Sequence, residues 1–290
     1  MKSIKKAVIP AAGYGTRFLP ITKVVPKELL PIGNKPAIHY VVEEAVRSGV
    51  EEIILVCHPS KNGIIDYFKR DKDLQIFLER KGKKEEMAVI ESIESMANFR
   101  VVYQKEPLGL GHAVWCARKE IGDEPFLVIL PDVLIADEIP ASQYLIDSCQ
   151  NGDEWGMLVE RVTPSEVSSY GIARVDRMKE KVYRLTGAVE KPKLSQAPSD
   201  LGILGRYLLP PEILRILERV KAGALGEIQL TDAIDQLARE RPGSAVMSRG
   251  EIFDIGTPEG LKEAYQYFEE AVGRISRTVQ EGQMKVLRRR

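Results

Sequence analysis

The sequence predicts an α/β protein, built on a Rossmann-like, mostly parallel central sheet flanked by helices. Three observations predict it. Short apolar runs without polar alternation, at 6–10, 52–57, 100–103 and 125–130, read as strands buried on both faces. Stretches with helical spacing of apolar residues lie between them. The two kinds of segment alternate from residue 5 to 132, which implies right-handed crossovers and parallel neighbours.

Taken in order, Lys6 to Pro10 is a short apolar run ended by Ala-Ala-Gly. Pro36 to Ser48 reads as a helix, with Pro36 at its first position and Gly49 beyond its end. Ile38, Val41, Val42, Ala45 and Val46 form its apolar stripe. Glu52 to Cys57 and Arg100 to Tyr103 are the second and third strands, Gly111 to Ile121 a helix, and Pro125 to Leu130 the fourth strand. Residues 69–100 interrupt the alternation. They are dense in charge, with KGKKEE at 81–86, and space Leu74, Phe77 and Leu78 as a helix would. A solvated helical pair is expected there. In the second half, 157–162, 171–175 and 182–189 read as strands, and 211–221, 228–240 and 258–273 as helices. One domain spanning 1–290 is expected, with halves at about 5–135 and 136–275 and a solvated tail at 276–290.

The chain of 290 residues is 44% hydrophobic and 29% charged, enough to bury a full core and so not a disordered chain. Its 42 basic residues balance 42 acidic ones, which argues against a dedicated nucleic-acid binder. A local basic pocket for a small phosphate ligand stays open. Cys57, Cys116 and Cys149 match no zinc spacing and read as thiols of a reducing compartment. The first apolar run is too short for a signal sequence and no stretch is long enough to span a membrane, so a cytoplasmic location is expected.

Ala11-Ala12-Gly13-Tyr14-Gly15-Thr16-Arg17 follows the first strand. Small residues let backbone N–H groups approach phosphate oxygens, and Arg17 adds a charged fork for a pyrophosphate group. No Gly-Lys-Ser/Thr follows, and Phe18 stands where the dinucleotide fingerprint has its third glycine. Lys27, in Pro26-Lys27-Glu28-Leu29-Leu30-Pro31, lies between stiffening prolines and offers a compact ammonium to a triphosphate. Asp132 follows a buried strand, where doubly wound sheets bind ligands, and a carboxylate there suits Mg²⁺ shared with substrate phosphates. Asp254 could cap a helix, but Thr257 and Pro258 already read as cap and first helical residue, so it is less needed in that role.

The ordered set A-A-G-x-G-T-R, P-K-E-L-L-P and G-N-K-P resembles the sugar-nucleotide pyrophosphorylases, and most of all their bacterial uridylyltransferase branch, over roughly residues 5–272. The resemblance implies a fold of the nucleotide-diphospho-sugar transferase type, with a nucleotide half first and a sugar-phosphate half containing a sugar-side β subregion. It implies transfer of the uridylyl group of UTP to α-D-glucose 1-phosphate, giving UDP-glucose and pyrophosphate. Ala11, Ala12, Gly13, Gly15 and Thr16 would then hold the nucleotide phosphates, and Gln104, Gly109 and Gly111 the base and ribose. Gly171, Glu190, Lys191 and Gly205 would hold the sugar phosphate. Arg17, Lys27 and Lys191 would act in catalysis, with Mg²⁺ on Asp132 and Asp254. His112 is expected to hydrogen-bond at a helix start, and Glu227 is a candidate on the ligand side. A homo-oligomer, dimer or tetramer, is implied by the family alone. Gly111-His112 and the charged insertion favour uridylyl over thymidylyl transfer. The alternatives are another hexose-1-phosphate nucleotidyltransferase, or a silent nucleotide-sugar sensor on the same fold.

Overall fold

The computed structural model describes residues 3–149, 155–179, 181–223 and 226–270. In chain order the strands and helices are β1 (Lys6–Ala11), β2 (Pro31–Ile32), β3 (Lys35–Pro36), α1 (Ala37–Arg47), β4 (Glu52–Cys57), α2 (Asn62–Phe68), α3 (Lys72–Arg80), α4 (Lys84–Glu94) and β5 (Asn98–Tyr103). There follow α5 (Leu110–Cys116), α6 (Arg118–Ile121), β6 (Phe126–Ile129), β7 (Val133–Ala136), α7 (Ala141–Cys149), β8 (Gly156–Arg161), β9 (Gly171–Lys179), β10 (Val182–Glu190) and β11 (Leu201–Leu209). The last are α8 (Glu212–Leu217), α9 (Leu230–Glu240), β12 (Gly243–Met247), β13 (Glu251–Asp254) and a helix over 258–270, here α10.

Nine strands form one sheet in the order β5-β4-β1-β6-β11-β8-β12-β10-β9. The first four are mutually parallel, as the alternating pattern predicts. Beyond them β11 runs antiparallel to both β6 and β8, β12 parallel to β8, and β10 antiparallel to β12 and β9. Two ribbons stand outside the sheet, β2–β3 and β7–β13.

Strand β1 shows why its sequence carries no alternation. Ala7 and Ile9 belong to one apolar cluster and Val8 to the other, so both faces are covered. The first cluster lies under α1 and α7, through Ile38, Val41, Val42 and Leu145. The second lies under α5, α8 and α9, through Val114, Ile213, Ile234 and Leu237. Burying each such large aliphatic side chain contributes roughly 1.5–3 kcal/mol. Lys6, at the start of β1, donates to the carbonyls of Glu120 (2.8 Å) and Ile121 (3.0 Å) at the end of α6.

Several elements differ from expectation. Pro36 is the extended residue before α1, at φ −71° and ψ 154°, and pairs in β3 instead of opening the helix. Gly49, at φ 89°, ends α1 as expected. The helix expected over 111–121 is broken at Ala117 into α5 and α6, and α8 is shorter than the pattern suggested. Helix α2 and strand β11 were not evident from periodicity. The charged insertion does form a helical pair, α3 and α4, in which Asp71 caps α3 by accepting from the Leu74 N–H (3.0 Å). The end of the helix expected over 258–273, and the tail at 276–290, lie outside the described residues. Among the described residues no helix is long and apolar enough to cross a membrane.

Candidate active site

The parallel quartet ends at Ala11, Cys57, Tyr103 and Ile129, and the loops that follow build one side of the cleft. After β1, Ala11 and Ala12 are buried, while Gly13, Thr16 and Arg17 face solvent. Gly15 is left-handed, at φ 65°. A Cβ there would sit 3.1 Å from the Lys27 Cβ, so the glycine lets the loop lie against the lysine. Thr22 fastens the turn by donating to the Gly15 carbonyl at 2.8 Å. Phe18 is buried and anchors the turn that follows, leaving Arg17 to reach across to the Gly256 carbonyl at 3.3 Å.

A buried pair supports this loop from below. Lys61 donates to both oxygens of Glu28, at 3.1 and 2.9 Å, and to the Ala11 carbonyl at 3.0 Å. All of its donors go to protein oxygens at the last residue of β1 and the neighbour of Lys27. Neither Lys61 nor Glu28 was picked out from the sequence. A lysine after the second strand, in His58-Pro59-Ser60-Lys61-Asn62, was the available signal.

Lys27 meets Asp132, its Nζ donating to Oδ2 at 2.7 Å. Burial pulls the lysine's pKa down, but Asp132, Glu28 and Asp254 outweigh it, and the net shift is upward. Burial alone would raise the Asp132 carboxyl; Lys27, backed by Arg206, holds it below the usual carboxylate range. Asp254 goes the other way, raised first by burial and then by Asp132, despite an N–H from Gly256 at 3.0 Å. The two carboxylates are brought together by the β7–β13 ribbon, whose register sets Asp254 opposite Val133, the residue after Asp132. Thr257 does cap α10, accepting from the Gly260 N–H at 3.1 Å, which leaves Asp254 for the cleft.

On the β5 side, the buried Gln104 amide donates to the Gly109 carbonyl (3.1 Å) and to His112 Nδ1 (2.9 Å). His112 thus holds Gln104, as a helix-start hydrogen-bonder would. Gly109 and Gly111 are explained by packing. A Cβ on either would come within 2.7 and 2.8 Å of the Ile228 carbonyl, and the two segments exchange bonds from the Gly111 N–H (2.9 Å) and the Ile228 N–H (2.8 Å). Glu227 is turned to Gln229, accepting at 2.9 Å.

On the far side, Glu190 ends β10 opposite Gly171 of β9. Thr231, at the start of α9, donates to Glu190 Oε2 at 2.6 Å and fixes the carboxylate. A Cβ on Gly171 would meet that same oxygen at 3.2 Å. Lys191 adopts a left-handed backbone, φ 41°, and its Nζ lies 3.8 Å from Glu190 Oε1. Gly205, at φ 68°, packs on Leu130, so it shapes the Asp132 loop directly. Burial raises the pKa of the Tyr207 hydroxyl, and the charges of Glu190 and Asp132 both raise it further. Tyr170 is pushed up to about 12 by burial, Glu160 and Asp254. Lys27 and Arg17 thus act on the Asp132–Asp254 pair, while Lys191 stays beside Glu190.

Sheet, glycine loop and ribbon define a fold of the nucleotide-diphospho-sugar transferase type. The nucleotidyl transferase family model matches residues 6–271, and the chain belongs to that family. It is 45% identical, over 91% of its length and 89% of the relative's, to the UTP–glucose-1-phosphate uridylyltransferase YngB of Bacillus subtilis (strain 168). A UTP-bound UGPase from Acinetobacter baumannii superposes with a TM-score of 0.83 at 42% identity, covering 91% of this chain and 93% of that one. A UDP-glucose pyrophosphorylase complexed with UDP-glucose gives 0.84 at 40%, covering 92% and 99%.

Proposed function

We propose that the chain transfers the uridylyl group of UTP to α-D-glucose 1-phosphate, giving UDP-glucose and pyrophosphate. The observation that carries the reading is the meeting of Lys27 with the Asp132–Asp254 pair, between the glycine loop and Glu190-Lys191. The full-length similarity to uridylyltransferases supports the choice of substrates. A phosphate oxygen of glucose 1-phosphate attacks the α-phosphorus of UTP, the bond to the leaving pyrophosphate breaks, and no proton need be removed. Catalysis is then positioning and charge stabilisation. Arg17 and Lys27 support the triphosphate and the departing pyrophosphate. Lys191 holds the sugar phosphate in line, with Glu190, kept in place by Thr231, on the sugar hydroxyls.

Among the described residues no group of three or more His, Cys, Asp or Glu side chains could hold a metal alone. Two hard carboxylate ligands, with phosphates and water completing the shell, fit Mg²⁺. Asp132 and Asp254 would hold it, and when bound it supplies positive charge to the phosphate oxygens at the point of transfer. We assign the enzyme to the cytoplasm, in keeping with the unbridged thiols of Cys57 and Cys116.

Pyrophosphate release, assayed over UTP, dTTP and other triphosphates crossed with several hexose 1-phosphates, tests the assignment. UTP with glucose 1-phosphate should give the highest kcat/KM. A preference for dTTP would move the chain to thymidylyl transfer.

A further inference from the structure

We propose that Arg206 is a positioning residue: it clamps the loop that presents Asp132 to the divalent cation. The proposal rests on the assignment of Asp132 to that cation. Strand β11 is buried along its whole length, and Arg206 in its middle is wholly inaccessible. A guanidinium in such a place is costly unless every donor is used. The bonds it makes are specific. Nε donates to Glu44 Oε1 at 2.9 Å and Nη2 to Glu44 Oε2 at 2.8 Å, a planar fork on one carboxylate. Nη2 also donates to the Val133 carbonyl at 2.8 Å, and Nη1 to the Leu130 carbonyl at 3.3 Å. Those two carbonyls are the ends of a four-residue stretch whose interior is Pro131 and Asp132. The guanidinium spans it from beneath.

The strand is built to deliver this group. The pairing of β11 with β8 shifts register between Ile203 and Tyr207, around the left-handed Gly205. A Cβ at Gly205 would fall 2.8 Å from the Leu130 side chain, and the Gly205 carbonyl accepts from the Leu130 N–H at 2.9 Å. Glu44 is fixed in turn, accepting from the Ser142 N–H (3.1 Å) and hydroxyl (2.5 Å) at the start of α7. One carboxylate thus ties α1, α7 and β11 to the Asp132 loop. An apolar pair could fill the same space without the desolvation cost. It could not hold the carbonyls on either side of Asp132. Lysine, a point charge, cannot fork to Glu44 and reach both carbonyls.

The test is Mn²⁺ binding in the presence of UTP, read as the loss of the free-ion electron paramagnetic resonance signal beyond that caused by the same UTP without protein, with kinetics alongside. Arg206→Lys keeps the charge. The double variant Arg206→Met with Glu44→Gln removes both charges, keeps an acceptor for Ser142, and guards against failure to fold. Each should bind Mn²⁺ about tenfold more weakly than the parent, as loss of a group supporting a metal ligand does. Half-saturating Mg²⁺ for turnover should rise in step, with high Mg²⁺ restoring most of the rate and KM for glucose 1-phosphate unchanged. Parental Mn²⁺ affinity in a folded variant would overturn the proposal, reducing Arg206 to a core ion pair. If the parent itself binds no Mn²⁺ with UTP, the assignment of Asp132 to the cation fails instead.

Discussion

Lys191 sits at φ 41°, a backbone conformation that costs a residue with a side chain on the order of 1–3 kcal/mol. We expect Lys191→Ala to lower turnover about a hundredfold or more, while calorimetric UTP binding without sugar phosphate changes little. Lys191→Gly should be as inactive, yet more stable than the alanine variant by about 1 kcal/mol in denaturant unfolding, because glycine relieves the strain. Normal turnover in either would shift the sugar side of the site onto Glu190. The two aspartates should respond oppositely to pH. Asp132 has its folded pKa lowered, so it adds stability above the ordinary carboxylate pKa, and the gain is lost as pH falls through the lowered value. Asp254 has its folded pKa raised, so its charge costs stability, increasingly as pH rises from the unfolded value through the folded one. Near neutral pH and without ligands, Asp254→Asn should therefore raise the Tm. Asp132→Asn should lower it, at a cost in stability of about 1–2 kcal/mol, by stripping Lys27 of its partner. Melts of both variants from neutrality down to about pH 3 should show the Asp254 effect fading first, as pH falls toward the ordinary carboxylate pKa, and the Asp132 effect fading only below it. Shifts of the same sign would contradict the opposed environments.

At the scale of the element, the contact between the loop before α5 and the segment before α9 leaves no room for a methyl group. Gly109→Ala must take φ 100° and push against the Ile228 carbonyl, so a loss of about 2–3 kcal/mol is expected in chemical denaturation. A loss under half of that would mean the two segments separate easily. The same elements show what could be read from sequence. Strands β1, β4 and β6 were legible because helices cover both of their faces and leave unbroken apolar runs. Strand β11 is equally buried but was not, because Gly202, Gly205 and Arg206 break its run: Gly205 and Arg206 lie in a register shift, and Gly202 is pressed against Val162, neither of which shows in one dimension. The site divides the same way. The glycine loop, Lys27 and Asp132 stand in local segments that carry their own chemistry, whereas Glu190 was reached only through the family resemblance. Lys61 finds Glu28 across 33 residues, and Arg206 finds Glu44 across 162, so neither ion pair can be read until its partner is placed. An arginine inside Leu-Gly-Ile-Leu-Gly-Arg-Tyr-Leu-Leu was the one local hint.

Over the whole molecule, two halves contribute to one sheet, and the proposed site takes Lys27 and Asp132 from one and Glu190 and Asp254 from the other. Removing divalent cations with a chelator should stop turnover, and Mg²⁺ should restore it; full activity in excess chelator would reject the carboxylate pair as a metal site. Continuity of the sheet also predicts a single calorimetric transition, with matching calorimetric and van't Hoff enthalpies, and not separate melting of residues 5–135 and 136–270. Within the sheet the halves meet at one ladder, where Phe126–Ile129 of β6 pair with Arg206–Leu209 of β11. Every opening that parts the halves must break that ladder, and no smaller opening reaches it. In deuterated water its amides should therefore be the last to lose their protons, exchanging only through global unfolding, while those of the outlying α3–α4 pair exchange through local fraying.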